Sequence, residues 1–268
     1  IEWCNKILKP EQVETIKLLD GTDWVIDDLV KKMYDNEFYY GYLNKASLSS
    51  SSCKKLLEGI DSYLGNREPL DSNMKPLREG RLIHVSLLEE DKIDDYYHFV
   101  NASTRRNKEY KEAVKDSSLE GKEIMLSKER VWAKGIVDAV MDNPTANELF
   151  TGGDYELPGI GYVQGFPFRA KADCLKGDRI VDLKTTSDIT SWEYNMDYYG
   201  YDAQAYIYST IFKKKSFTFV IVDKRTLQVK TYDATLDEIQ RGYEKVSEAV
   251  NNYIAVSYTH LTLPTTSM

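Results

Sequence analysis

The sequence predicts an α/β fold in which a mixed central sheet is flanked by helices, and two observations carry that prediction. From Asp154 the apolar residues recur at every second position through "DYELPGIGYVQGFPFRAKADCLKGDRIVDLKTT", with turn signals at "PG", "QG" and "KGD", the pattern of a meander of short strands. A helical stretch, the apolar strand "FTFVIVD" and a final amphipathic helix follow, so helix, three-strand meander, helix and strand succeed one another as in an α/β sandwich. With 268 residues and 42% hydrophobic content, the chain has enough material for one sizeable core.

Residues 1–45 are helical in tendency, interrupted by Pro10 and Gly21, and end in the aromatic cluster "FYYGY". "LSSSSCKKLL" reads as a short serine-capped helix, the hydroxyls accepting from free N–H groups of the first turn before Leu56 and Leu57. After a polar loop with Gly65, Pro69 and Asp71, "KPLREGRLIHVSLLEED" gives a helix with Leu77, Gly80, His84, Leu87 and Leu88 on one side. His84 therefore faces inward or borders a site. "NASTRRNKEYKEAVK" is locally basic and "SKERVWAKGIVDAVMDNP" is an amphipathic helix stopped by Pro144; the two are candidates for a positive surface patch. In the strand from Phe166, residues Phe166, Phe168, Ala170, Ala172 and Cys174 form a packed face, and Arg169, Lys171 and Asp173 present charge on the other. Strands "FTFVIVD" and "QVKTYDA" join through "KRT", and the last helix runs from Leu236 to about Ile254.

A net charge of −8 gives no support to a globally basic nucleic-acid binder, although charge segregated over a surface still permits DNA contact. The three cysteines, Cys4, Cys53 and Cys174, lie far apart without a CxxC pair, which argues against a disulfide framework, a zinc site or an iron–sulfur cluster and fits a reducing cytoplasm. No stretch is apolar for long enough to span a membrane. The chain opens on Ile1, and "VSYTHLTLPTTSM" contains no Asp, Glu, Lys or Arg in a protein that is 29% charged. "VSYTHLTLPTT" resembles the in-frame translation of a transposase adapter used in building sequencing libraries. The expected organisation is a truncated helical segment over 1–38, one domain over 39–255, and a non-native read-through over 256–268. Setting His260 aside leaves His84 and His98 as the histidines to consider.

The chemistry is concentrated in "DRIVDLKTT". Strand alternation puts Ile180, Asp182 and Lys184 on one face and Val181 and Leu183 on the other. Asp173 lies on the neighbouring strand of the expected hairpin, so the carboxylates of Asp173 and Asp182 converge and need a positive charge between them. Mg²⁺, a hard cation that takes carboxylate oxygens, water and phosphate, is the natural one. Lys184 then stabilises charge on a phosphate or holds the attacking water of a phosphodiester hydrolysis. Taken singly, each piece has a plainer explanation: D-x-K as a surface ion pair, His84 as a hydrogen-bonded core residue, Gln204 and Tyr208 as an ordinary helix face, and Arg105 to Lys115 as a solvated one.

Taken together, they resemble the exonuclease VIII family of phage-type recombination nucleases, in the PD-(D/E)xK superfamily with its restriction-endonuclease-like core. The resemblance covers about Tyr39 to Ala255: the serine-rich "LSSSSCKKLL", the helix "EGRLIHVSLLEED", the basic "RRNKEYKEAVK", the hairpin "RAKADCL…IVDLKTT" and the QxxxY helix "YDAQAYIY". The proline that opens the family signature is replaced by Ala172. The resemblance implies His84, Asp173, Asp182 and the Leu183 carbonyl as metal ligands and Lys184 as the catalytic lysine. Gln204 and Tyr208, with Asp173 and Asp182, complete the implied catalytic set, and Arg169, Thr185, Gln204 and Tyr208 are the implied DNA contacts. Glu156 stands where the family often has an acid, its role open.

The resemblance further implies a Mg²⁺-dependent exodeoxyribonuclease, with Mn²⁺ as an alternative ion, degrading one strand of linear duplex DNA 5′ to 3′ in phage-type homologous recombination. It implies a ring-like homo-oligomer, a single-strand annealing protein as partner, and the cytoplasm of a bacterial or phage-infected cell as location. The iron–sulfur branch of the superfamily needs four cysteines and is disfavoured by three. A DNA-end-binding or scaffolding module that has lost turnover is opposed by the presence of Asp173, Asp182 and Lys184 together.

Overall fold

The computed structural model describes residues 14–65 and 75–261. The expectations at Cys4, Pro10, Pro69, Asp71 and residues 262–268 lie outside the described residues. A hairpin of β1 (Thr15–Lys17) and β2 (Asp23–Val25) leads into α1 (Ile26–Lys32). "FYYGY" forms a π-helical turn, followed by α2 (Leu43–Ala46), α3 (Ser50–Glu58) and α4 (Ile60–Gly65). Then come α5 (Lys75–Leu88), α6 (Ile93–Tyr96), β3 (Tyr97–Val100), α7 (Lys108–Lys115), β4 (Glu123–Leu126), α8 (Ser127–Asp142) and α9 (Pro144–Phe150). The main sheet is built from β5 (Asp154–Val163), β6 (Phe166–Lys176) and β7 (Arg179–Thr186), with β8 (Ser216–Asp223) and β9 (Val229–Asp233) added after α10 (Trp192–Tyr199) and α11 (Tyr201–Phe212). The long α12 (Leu236–Leu261) closes the described chain.

The five strands stand in sequence order, antiparallel at every junction except β7 with β8. That junction is parallel because two helices, rather than a tight turn, carry the chain between them. Helices cover both faces. On one, Phe168, Ala170, Ala172, Ile180, Phe217 and Phe219 pack with Ala205 and Ile207 of α11 and Val246 of α12. On the other, Val181, Leu183, Val220 and Val222 pack with Leu82 and Ile83 of α5, Ile136 of α8 and Phe150 of α9. Burial on both faces explains why "FTFVIVD" carries a continuous apolar run from Phe219 to Val222 rather than alternating. The predicted mixed sheet flanked by helices is therefore the observed architecture. A smaller cluster of Ile16, Leu29, Met33 and Leu43 seats the first segment on Ile160 of β5.

Several elements follow from local chemistry. Ser49 caps α3, its hydroxyl accepting from Ser52 N–H in a reciprocal capping box. Pro144 does more than stop α8: it is the first residue of α9, where a missing N–H costs nothing, and Asn143 caps that helix. Helix α12 continues past the expected end at Ile254 and buries Val256, since no proline follows until Pro264. The parallel pair of β3 and β4 was not foreseen. The apolar stripe of α5 is also rotated from expectation: Leu82, Ile83, Val85 and Leu88 are buried, Leu77 is exposed and His84 is partly buried at the edge.

Candidate metal and catalytic site

The site lies where β6 and β7 part. They pair only through Cys174 with Val181, Leu175 with Ile180 and Lys176 with Arg179. Further along β6, Leu48 takes the neighbouring place, its N–H donating to Pro167 O at 2.9 Å and its carbonyl accepting from Arg169 N at 2.8 Å. In the gap, the Leu183 N–H donates to Asp173 Oδ2 at 2.8 Å instead of to a strand carbonyl.

A second irregularity aims Asp173 there. The β5–β6 register runs from Asp154 opposite Leu175 and Tyr155 opposite Cys174, then resumes with Leu157 opposite Ala172, passing over Glu156 and Asp173. Glu156 has φ 52°, a left-handed conformation costing on the order of 1–3 kcal/mol for a residue with a side chain. The break also corrects the expected packed face of β6. Phe168, Ala170 and Ala172 belong to one core, whereas Cys174 belongs to the opposite one.

His84, Glu156 and Asp173 each bring a donor atom to within 4.8 Å of the others. His84 Nδ1 stands 3.4 Å from Asp173 Oδ2, and the Leu183 main chain hydrogen-bonds the same imidazole. Lys171 Nζ lies 3.0 Å from Glu156 Oε2. Two carboxylates, an imidazole and a nearby main-chain carbonyl are a donor set that suits a divalent cation tolerant of both oxygen and nitrogen. Asp182, expected beside Asp173 as a ligand, lies outside that trio. Its Oδ1 accepts from Gln204 Nε2 at 2.6 Å and its Oδ2 lies 2.6 Å from Lys184 Nζ. Lys184 also sits 4.7 Å from the centre of the Tyr201 ring, a cation–π contact.

The electrostatics divide the groups. Burial, then the charges of Asp182 and Glu156, push the Asp173 carboxyl well above its ordinary range, only partly offset by Lys184 and the Leu183 N–H. Burial holds His84 below the usual imidazole value despite the opposing pull of Asp182 and Glu156, so the ring is neutral at pH 7 with a lone pair to give. For Lys184, burial favours the neutral amine, but Asp182, Tyr201 and Asp173 together outweigh it and raise its pKa. It is an ammonium, suited to stabilising negative charge and not to taking a proton.

The sequence-predicted residues do not all converge. Arg169, expected at the DNA, is 4% exposed: its Nη1 donates to Leu43 O at 2.8 Å and Ser47 O at 3.2 Å, and its Nη2 to Asn44 Oδ1 at 2.9 Å. It fastens the first segment to the sheet, and Leu43, Asn44 and Ser47 of that segment cover the face that alternation had left open. Tyr208, also expected at the DNA, is buried, its hydroxyl bonded to the Lys171 main chain and its ring against Phe212 and Phe217. Thr185 is partly buried near the end of β7. The basic run is neutralised in part by its own neighbours, Arg105 by Glu129 at 2.7 Å and Lys108 by Glu112 at 3.6 Å. Sequence reasoning missed Lys171 and Tyr201. The signal for Lys171 was available: "KAD" on β6 mirrors "DLK" on β7, an acid and a lysine two apart on each strand.

The sequence matches the family described as "PDDEXK-like domain of unknown function (DUF3799)" over residues 49–265. Among curated proteins none matches. Among solved structures, a candidate exonuclease from Eubacterium rectale superposes with a TM-score of 0.61 at 18% identity, covering 84% of this chain and 85% of that one. A phage related exonuclease from Haemophilus somnus 129PT gives 0.36 at 14% identity, with 81% and 99% covered. LHK-Exo in complex with dAMP gives 0.34 at 14%, with 84% and 96% covered.

Proposed function

Because this chain belongs to the family of PDDEXK-like domains, we propose that it is a divalent-metal-dependent deoxyribonuclease that removes nucleotides from one strand of linear duplex DNA, starting at an end. The observation that carries the reading is the alternation of Asp182 and Lys184 on one face of β7, the ammonium 2.6 Å from the carboxylate, facing the His84, Glu156 and Asp173 trio across the gap between the strands. His84, Glu156 and Asp173 would hold the ion, with the Leu183 carbonyl and Asp182 alongside. Mg²⁺ is the expected ion, and the imidazole makes Mn²⁺ a good substitute. A bound divalent cation supplies an acidified water and a Lewis acid for a phosphate oxygen.

The protein's own groups do the rest. Lys184 places a fixed positive charge where the phosphate oxygens gain negative charge during attack, in a partly buried setting where that charge counts for more than in water. Gln204 fixes the orientation of Asp182, which in turn fixes Lys184. Tyr208 braces β6 through the Lys171 main chain. Action from 5′ to 3′, assembly into a homo-oligomeric ring, work beside a single-strand annealing protein in phage-type recombination, and a cytoplasmic setting in a bacterial or phage-infected cell complete the proposal. The support for these is the family resemblance of the motifs.

The test is nucleotide release from linear duplex DNA labelled on one end or the other, with Mg²⁺, Mn²⁺ or chelator, beside a closed circle. Metal-dependent loss of the 5′ label from linear DNA alone is expected. A well-folded chain that binds DNA ends and releases nothing with any divalent ion would instead be a binding module.

A further inference from the structure

A run of tyrosine rings leads outward from Lys184. The Lys184 ammonium lies 4.7 Å from the Tyr201 centroid; Tyr201 stacks on Tyr199 at 5.6 Å, Tyr199 meets Tyr198 edge-on at 5.0 Å, and Tyr198 stacks on Tyr194 at 5.4 Å with the planes 16° apart. Tyr201 is anchored from beneath by Trp192, stacked at 5.5 Å. The outer rings are open to solvent: Tyr194 is 66% exposed, Tyr198 56% and Tyr199 47%. Core packing does not explain three adjacent exposed tyrosines, since each leaves apolar ring surface in water.

Charge along the run suits a polyanion. Lys54 of α3 stands 5.0 Å from the centres of both Tyr198 and Tyr199, and its ion pair with Glu58 is a 3.9 Å contact. Asp197, on the same helix, is tied to Lys245 at 2.7 Å, which blunts its repulsion of phosphate; Glu193, one turn before it, shares its side of the helix rather than that of Tyr194 and Tyr198. Exposed aromatic faces beside lysines are the elements by which proteins hold unpaired nucleic acid without reading its sequence, bases stacking on rings and phosphates meeting ammonium groups.

We propose that Tyr194, Tyr198 and Tyr199, with Lys54, form a stacking track for single-stranded DNA that leads the unpaired strand to or from Lys184. The inference rests on the nuclease reading for its inner end. It commits to a DNA single strand rather than a second copy of the chain, because the track is continuous with the candidate site and carries a cation over its rings.

The test measures fluorescence anisotropy of a 5′-phosphorylated oligodeoxythymidine with the full chain in chelator, so that no hydrolysis intervenes, with a blunt duplex as comparison. Tyr194→Ala combined with Tyr198→Ala is expected to weaken single-strand binding by roughly tenfold or more, in line with the loss of one or two stacked bases, and to change duplex binding much less. Tyr194→Phe with Tyr198→Phe keeps the rings and is expected to bind like the parent. Both variants change exposed side chains, and equal melting temperatures certify the fold. Single-strand affinity that is unmeasurable in the parent, or unchanged in the alanine pair, overturns the proposal. Loss of self-association in sedimentation with single-strand affinity intact overturns it in favour of a contact between copies. Track-dependent binding without metal-dependent cleavage would sustain the track and refute the nuclease.

Discussion

Lys184 Nζ lies 2.6 Å from Asp182 Oδ2, while Gln204 Nε2 holds the other oxygen of that carboxylate at 2.6 Å. The lysine is therefore positioned by a carboxylate that is itself positioned by a helix, and its charge is fixed before substrate arrives. Lys184→Ala should lower turnover by at least about a hundredfold, the usual loss on removing a preorganised positive or donor group, while a metal-induced rise in melting temperature persists. Asp182→Ala should lose both. Full activity in Lys184→Ala would remove the mechanism.

Asp173 carries the cost of bringing carboxylates together in a buried place. Burial and the neighbouring Asp182 and Glu156 raise its pKa, so the folded chain holds this proton to higher pH than the unfolded chain does. The group therefore favours folding below the unfolded pKa, and that contribution is lost as pH rises through the folded one. In chelator at neutral pH, Asp173→Asn should stabilise the chain by on the order of 1 kcal/mol and abolish most of the stabilisation by Mg²⁺ or Mn²⁺. Thermal unfolding with and without metal, from mildly acidic to neutral pH, reads both effects. An asparagine variant that melts lower in chelator would show that the carboxylate is needed for the fold.

The legible part of the site is that set by strand period alone. Asp182 and Lys184 were placed together because β7 is regular, with parallel pairing to β8 along its whole length. Asp173 was legible as a residue but not as a geometry, because β5–β6 pairing lapses at Glu156 and Asp173 with the register unchanged on either side, and there Cys174 lies in the opposite core while Asp173 accepts from Leu183 N–H. No local pattern marks that break: Glu156 is neither glycine nor asparagine, the residues that advertise a positive φ. The surroundings of Arg169 were not legible for a different reason. Alternation correctly put it opposite the apolar residues of β6, but alternation knows nothing of the distant segment around Leu43 to Leu48 that covers that side.

Arg169 should accordingly behave as a structural residue. Arg169→Ala removes the donor to Leu43 O, Ser47 O and Asn44 Oδ1 in a buried setting, and should cost about 2–4 kcal/mol in urea unfolding. Arg169→Lys keeps the charge but not the planar fork and should recover only part of this. Duplex affinity of the folded variant should match the parent. Normal stability with weakened DNA binding would return Arg169 to the DNA surface.

Helices α11 and α12 cross closely enough that a β-carbon at Gly242 would collide with the Asp202 carbonyl oxygen and meet Tyr206 Cβ at 3.0 Å. The first contact is with backbone, so the helices must separate rather than a side chain swing away. The crossing is also pinned electrostatically: Asp202 is fully buried, with Arg241 Nε at 3.0 Å and Lys245 Nζ at 2.8 Å. Gly242→Ala should therefore destabilise the fold by about 1–3 kcal/mol, the range for overpacking a tight interface. Because α11 also carries Gln204, its displacement should loosen the hold on Asp182 and lower turnover even at temperatures where the variant is fully folded, since small misplacements at a reacting centre are costly. Urea midpoints and single-turnover rates at low temperature separate the two effects. A variant as stable as the parent but slower would mean that α11 shifts without the crossing being strained, and one that is destabilised but equally fast when folded would detach Gln204 from catalysis.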